Sequence, residues 1–151
     1  MFGGKNEKGE VLGTLRKLSY DPNSLELNWS TPFTKGQSPA NRFQHTMAFY
    51  PEGNYLIVCG GRSGDAQATY IHHDVKILYL ESFTWVSPKL SGDICQKERF
   101  GHSACVVEGQ MIVFGGKCKG NLLDERIAIL ELSKLLLINS FVILIQQDQK
   151  K

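Results

Sequence analysis

An all-β fold built from repeated small sheets is predicted by three registers that run through the chain. The glycine pairs Gly3-Gly4, Gly60-Gly61 and Gly115-Gly116 recur at nearly equal intervals, each directly after an apolar residue (Phe2, Cys59 or Phe114). Arg42-Phe43-Gln44-His45 returns at the same interval as Arg99-Phe100-Gly101-His102. Trp29 and Trp85 follow Gly4 and Gly61 at almost the same spacing, and Phe141 holds the matching place after Gly116. Self-similarity with a period of about 50 residues is the signature of propeller blades.

Each repeat resolves into short strands. In the middle one, residues 46–50 are β-prone, Pro51-Glu52-Gly53-Asn54 is a turn cluster, and residues 55–59 are apolar throughout, which together predict a hairpin. The last repeat follows with residues 103–107, the turn Glu108-Gly109-Gln110 and residues 111–114. A second strand that is apolar at consecutive positions must be buried on both faces, as between stacked sheets. The glycine pair after it lets the backbone pass close to a neighbour. The third strand is placed at residues 74–80, with counterparts at 124–130 and 14–20. Asp21-Pro22-Asn23 and Glu81-Ser82-Phe83 then turn the chain into an outer strand bearing the tryptophan. Four antiparallel strands make one blade. The connections at 31–39 and 87–93, rich in Pro, Gly and Ser, read as surface loops.

The set Arg-Phe-x-His, apolar strand, Gly-Gly, Tyr79 and Trp85 resembles the kelch repeat over about residues 2–132. The last repeat departs from that pattern with Ile129 and Phe141 at the Tyr and Trp places. The first has Ser19 at the Tyr place and lacks the first strand and most of the second. The resemblance implies a non-enzymatic protein-interaction scaffold or adaptor, cytoplasmic and open to cytoskeletal association. It also implies that the arginines opening the first strand, Arg42 and Arg99, line a peptide pocket. The chain divides into a partial kelch blade with its connector (1–41), a complete blade (42–98), a third blade with an atypical outer strand (99–145) and a polar tail (146–151). Propellers close with about four to eight blades. The fold class is therefore a kelch-type β-propeller that is incomplete, an open arc. Further blades, from the rest of a longer chain or from self-association, are needed to close the ring.

Composition excludes several functions. A chain of 151 residues, 42% hydrophobic and 21% charged, is an ordinary soluble domain. A net charge of +2 from 17 basic and 15 acidic residues makes no single-sign field, so nucleic acid is not a partner. Residues 135–145, the longest apolar run, fall short of the roughly 20 needed to cross a bilayer, so no membrane role follows. Cys59, Cys95, Cys105 and Cys118 form no C-x-x-C pair, and Cys59 and Cys105 lie in apolar strands, which reads as buried free thiols. No basic and apolar leader opens the chain, which places it in the cytosol. Nucleophile-elbow, zincin and P-loop motifs are absent, and adjacent His72 and His73 point apart in extended chain, so no catalytic residue, metal or cofactor is assigned.

The loops between second and third strands share one end of the blades with the connections between repeats. Arg42, Arg62, Tyr70, His72, His73, Arg99 and Lys117 are the candidates there, a cationic surface suited to an acidic or phosphorylated peptide. Structural hydrogen bonds at the blade start are the alternative role for Arg42 and Arg99. Gly3, Gly4, Trp29, His45, Gly60, Gly61, Tyr79, Trp85, His102, Gly115 and Gly116 read as structural repeat positions. Alternative functions are a propeller segment of an enzyme, as regulatory domain or metal-dependent lyase or oxidase, and a structural cytoskeletal or axonemal component.

Overall fold

The computed structural model describes residues 1–65, 68–91, 98–138 and 141–146. The first repeat contains β1 (Phe2–Lys5), β2 (Val11–Leu15), β3 (Lys17–Asp21) and β4 (Glu26–Ser30), paired antiparallel as β1 with β2 and β3 with β4. The single third strand expected at 14–20 breaks at Arg16. Its N–H donates to Met1 O at 2.8 Å, and the Met1 amine donates back to Arg16 O at 2.9 Å.

The middle repeat contributes β5 (Lys35–Gly36), β6 (Thr46–Tyr50), β7 (Tyr55–Cys59), β8 (Arg62–Gly64), β9 (Thr69–Ile71), β10 (Val75–Tyr79) and β11 (Thr84–Val86). Strands β6, β7, β10 and β11 form the expected antiparallel meander, and β8 pairs with β9 as a separate hairpin in what the sequence suggested was plain loop. The last repeat adds β12 (Lys89–Ser91), β13 (Ser103–Val107), β14 (Gln110–Phe114), β15 (Ala128–Ile138) and β16 (Phe141–Gln146), in the order β12-β16-β15-β14-β13. Strand β15 starts later than the expected residue 124 because Asp124 turns the chain, accepting the Arg126 N–H at 3.1 Å.

The tryptophan-bearing strand is not the sheet edge. The connection before each complete sheet supplies a short parallel strand outside it, β5 on β11 and β12 on β16. Lys35 N–H donates to Phe83 O at 2.9 Å. An uncovered edge exposes a row of unpaired backbone groups, and these segments cover it.

The middle sheet is buried on both faces, as the unbroken apolar run of β7 requires. Tyr55, Ile57, Val75 and Ile77 pack against Met111, Val113, Leu130 and Leu132 of the last sheet. Val58, Leu78 and Trp85 pack against Phe2 and Leu15 of the first. The outward faces of the arc differ. Trp85 is 3% exposed with Phe2 edge-on at 5.5 Å, whereas Trp29, expected in the same structural role, is 50% exposed with only the Arg16 guanidinium over its ring. On the far side Cys105, Val107 and Phe114 are exposed. The expectation of a buried Cys105 thus fails because β13 is covered on one face alone. Cys59 lies between sheets, and burial pushes its thiol up to about 12. Cys95 lies outside the described residues. No helix of the described residues is long and apolar enough to cross a membrane.

The glycine pairs are the joints between sheets. A Cβ on Gly3 or Gly60 would lie 2.5 Å from the carbonyl oxygen of Arg42 or Arg99 in the next repeat. The second glycine donates its N–H to that same oxygen, Gly4 to Arg42 and Gly61 to Arg99, both at 2.8 Å. A Cβ on Gly61 would also press on His45 of its own repeat at 2.7 Å, and one on Gly116 on His102 at 2.8 Å. Beside Gly115 a Cβ would meet nothing within 4 Å, since no described strand follows on that side. His45 and His102 are wedged into these joints, and burial, followed by the charge of Arg42 or Arg99, pushes both imidazoles down to about 4.

Two outcomes follow. Gly60 and Gly115 share a positive φ of 59° and 67°, so alanine strains the backbone at both, but only at Gly60 does it meet a carbonyl. Gly115→Ala should cost about 1 kcal/mol and Gly60→Ala at least about 3 kcal/mol in urea unfolding; equal costs would contradict the joint. The second concerns acid. The unfolded chain protonates both histidines near pH 6.5 and the folded chain only near 4. Stability should therefore fall as pH drops through that window, by up to about 3 kcal/mol per ring, in urea melts from pH 7 to 4. His102→Gln should flatten the slope, and a profile level across the window would show the rings are not held neutral.

Candidate partner-binding face

The residue after the second and third glycine pairs is fastened by backbone to the phenylalanine of its own Arg-Phe-x-His segment. Phe43 and Arg62 exchange N–H···O bonds at 2.9 Å each, and Phe100 and Lys117 do so at 3.0 and 2.9 Å. These side chains leave the joint on one face, where cations and rings alternate. Lys5 Nζ stands 4.1 Å over Phe43, and the Arg62 guanidinium lies 4.9 Å from Phe43 and 4.5 Å from Phe100. Arg62 Nε donates to Gln44 Oε1 at 2.7 Å, fixing the plane of the group.

The terminal nitrogens of Arg62 meet no carboxylate among the described residues. The ion pairs there are Arg42–Asp74, Arg99–Asp124 and Arg126–Asp124. Two clefts open beside Arg62. One of about 450 Å³ is lined by Gln44, Phe100, Gly101, Lys117, Asn121 and Leu123, and one of about 380 Å³ by Thr69, Ile71, Cys118, Lys119 and Asn121. A guanidinium held between two rings, with no carboxylate on its terminal nitrogens among the described residues, is prepared for two-point hydrogen bonding to a carboxylate or phosphate.

The structure divides the sequence candidates. Arg62 and Lys117 are half-buried on the clefts, while Tyr70 and His73 are exposed at the β8–β9 hairpin. Arg42 and Arg99 do not reach the face. Arg42 has no exposed surface, donating to Asp74 Oδ1 at 2.6 Å, Asp74 Oδ2 at 3.0 Å, Gly60 O at 3.0 Å and Ala40 O at 3.1 Å. Arg99, 5% exposed, meets Asp124 at 2.9 Å as a charge contact and donates to Gly115 O at 3.3 Å and Arg126 O at 3.0 Å. Both arginines sit in the alternative role, holding the blade start. Burial works against charge on Asp74, but the hydrogen bonds and charge of Arg42 hold its carboxyl below the usual range. Burial also works against charge on Asp124, and hydrogen bonds from Arg126 with the charge of Arg99 hold it low in the same way. His72 is buried under Tyr70, with its Nε2 3.1 Å from Ser63 Oγ, and burial lowers its pKa. Among the described residues no group of three His, Cys, Asp or Glu could hold a metal ion.

Sequence reasoning missed Lys5, Phe43, Gln44 and Phe100. The signal was present as Gly-Gly-Lys, Gly-Gly-Arg and Gly-Gly-Lys at the three pairs. It also missed Asp74 and Asp124 as partners of the buried arginines.

Comparison with known proteins agrees with this architecture. Residues 1–139 match the KLHDC2/KLHL20/DRC7 Kelch-repeats domain. Host cell factor 1 of Rattus norvegicus is 34% identical over 128 residues, covering 77% of this chain and 6% of that protein. Dynein regulatory complex subunit 7 of Chlamydomonas reinhardtii is 30% identical over 121 residues, covering 80% of this chain and 10% of its own length. The chain thus spans a tenth or less of these two relatives. The solved structure of YjhT shares the fold at a TM-score of 0.66 and 14% identity, over 97% of this chain and 41% of that one. With its blade-like sheets, its glycine joints and a family match over nearly its whole length, this chain belongs to the kelch-repeat family of β-propellers.

Proposed function

We propose that the chain is a non-enzymatic recognition segment that takes an acidic or phosphorylated stretch of a partner protein on the face formed by Lys5, Arg62 and Lys117. The observation that carries this reading is Arg62: clamped between Phe43 and Phe100, oriented by Gln44, and without a carboxylate partner among the described residues. Fixing the guanidinium before binding removes much of the ordering cost that weakens exposed ion pairs. Tyr70 and His73, on the adjacent hairpin, supply contact area beside the charge. Further blades, from a longer chain or from other copies, complete the ring by covering Leu18, Leu27 and Trp29 on one flank and Val107 and Phe114 on the other, all exposed here. The site of action is cytoplasmic. Similarity to a dynein regulatory complex subunit favours a second reading, a stable structural component of a cytoskeletal assembly.

Titration of a fluorescein-labelled Asp/Glu-rich peptide, followed by anisotropy, tests the first reading. Arg62→Glu should weaken binding at least about tenfold with an unchanged melting temperature, and Arg62→Lys should fall between, since lysine lacks the planar fork. Capture unaffected by Arg62→Glu, or insensitive to salt, would remove the face from the account.

A further inference from the structure

Lys76 lies in β10 with 8% of its surface exposed. It forms no ion pair with any described carboxylate. Asp74, two residues earlier, is committed to Arg42. The ammonium donates to Ser87 Oγ at 2.6 Å, its one side-chain hydrogen bond among the described residues. A neutral hydroxyl is a weak partner for a buried charge, which is normally paired with an anion.

Ser87 itself is exposed, one residue beyond β11, and is followed by Pro88. The register pairing Ile77 with Val86 sets residue 87 across from residue 76, so the contact is fixed by the sheet and not by a loop. Two other hydroxyl residues precede proline in the connections, Thr31-Pro32 and Ser38-Pro39, and neither makes a hydrogen bond to a basic side chain among the described residues.

We propose that Ser87 is a phosphorylation site for a proline-directed serine/threonine kinase, with Lys76 as its built-in counter-ion. In the transfer, Ser87 Oγ bonds to the γ-phosphorus of ATP, the bond from that phosphorus to the β-phosphate oxygen breaks, ADP leaves, and the hydroxyl proton passes to the kinase's base. The product places a phosphomonoester on an ammonium whose side-chain partner among the described residues is a hydroxyl. The residues directly after Ser87 run into β12, the edge strand on β16 of the next sheet. The modification therefore tightens the root of the segment that joins two blades.

The purified chain, incubated with MgATP and a proline-directed kinase, should gain phosphate at Ser87 while folded, as mapped by peptide mass spectrometry. Ser87→Ala should lose that label. Phosphorylation should raise the melting temperature by about 3–8 °C, and Lys76→Met should abolish the rise. Should Lys76→Met fail to fold, ³¹P NMR of the phosphorylated native chain decides: the phosphate should titrate at a lower pH folded than in urea. Labelling of Ser87 only after unfolding, a melting shift equal in Lys76→Met, or the same phosphate titration folded and unfolded would each overturn the proposal.

Discussion

The guanidinium of Arg42 touches no solvent, and four separate pieces of chain are organised around that residue. Its nitrogens bind the Asp74 carboxylate at the start of β10 and the carbonyl of Gly60 at the end of β7. Its own carbonyl accepts the N–H of Gly4 from the preceding sheet. One residue therefore ties the first, second and third strands of its own sheet to the sheet before. Arg99 repeats the arrangement with Asp124, Gly115 and Gly61. Burying a cation is costly unless it is paired and its donors are met. The paired aspartates meet the charge, and at Arg42 the carbonyls of Gly60 and Ala40 meet the remaining donors, whereas at Arg99 one terminal nitrogen faces Asp124 as a charge contact without a hydrogen bond. Stacking of the sheets is thus set by backbone contact at the joints, with the apolar layers filling the space between.

The proposed binding face is a product of the same joint. Once the glycine pair has turned toward the next repeat, the following residue is bridged by backbone to the phenylalanine beside the buried arginine. Its side chain has to leave on the outer face. Lysine or arginine stands there in every repeat of this chain, and in the first two the phenylalanine of the next repeat lies beside it, so charge and ring alternate without any one sheet encoding the pattern. The rigid part is common to all repeats. What varies is the loop that follows, a two-stranded hairpin in the middle repeat and a short 3-10 turn at Lys119–Asn121 in the last. Such a face offers the recognition proposed for it a fixed cation row with changeable walls.

Much of this was legible before the structure. The hairpin of β6 and β7 could be read because a turn cluster separates two apolar runs, and the double burial of β7 because those runs do not alternate. The joints were visible as glycine pairs. The fate of Arg42 and Arg99 was not: their partners Asp74 and Asp124 open the matched third-strand segments, but they lie far downstream beyond loops of unequal length, and matching positions between repeats does not report which side chains meet within one. An arginine bound for the interior reads like one bound for solvent. Edge strands β5 and β12 were hidden for a related reason, since Lys35-Gly36 has no strand character of its own and is extended only because β11 offers an open edge. Exposure of Trp29 and Cys105 depends on what flanks the arc, which residue identity does not record.

A double-mutant cycle on Arg42 and Asp74, followed by urea unfolding, tests the joint most directly. Asp74→Asn leaves the fully buried Arg42 without its counter-charge and should cost about 3 kcal/mol, Arg42→Met should cost less on the electrostatic side because the Asp74 side chain is 34% exposed, and the double mutant should cost clearly less than the sum, with a coupling of at least about 1 kcal/mol. Additive effects below about 0.5 kcal/mol each would contradict the account, because the sheets would then be held by their apolar layers alone.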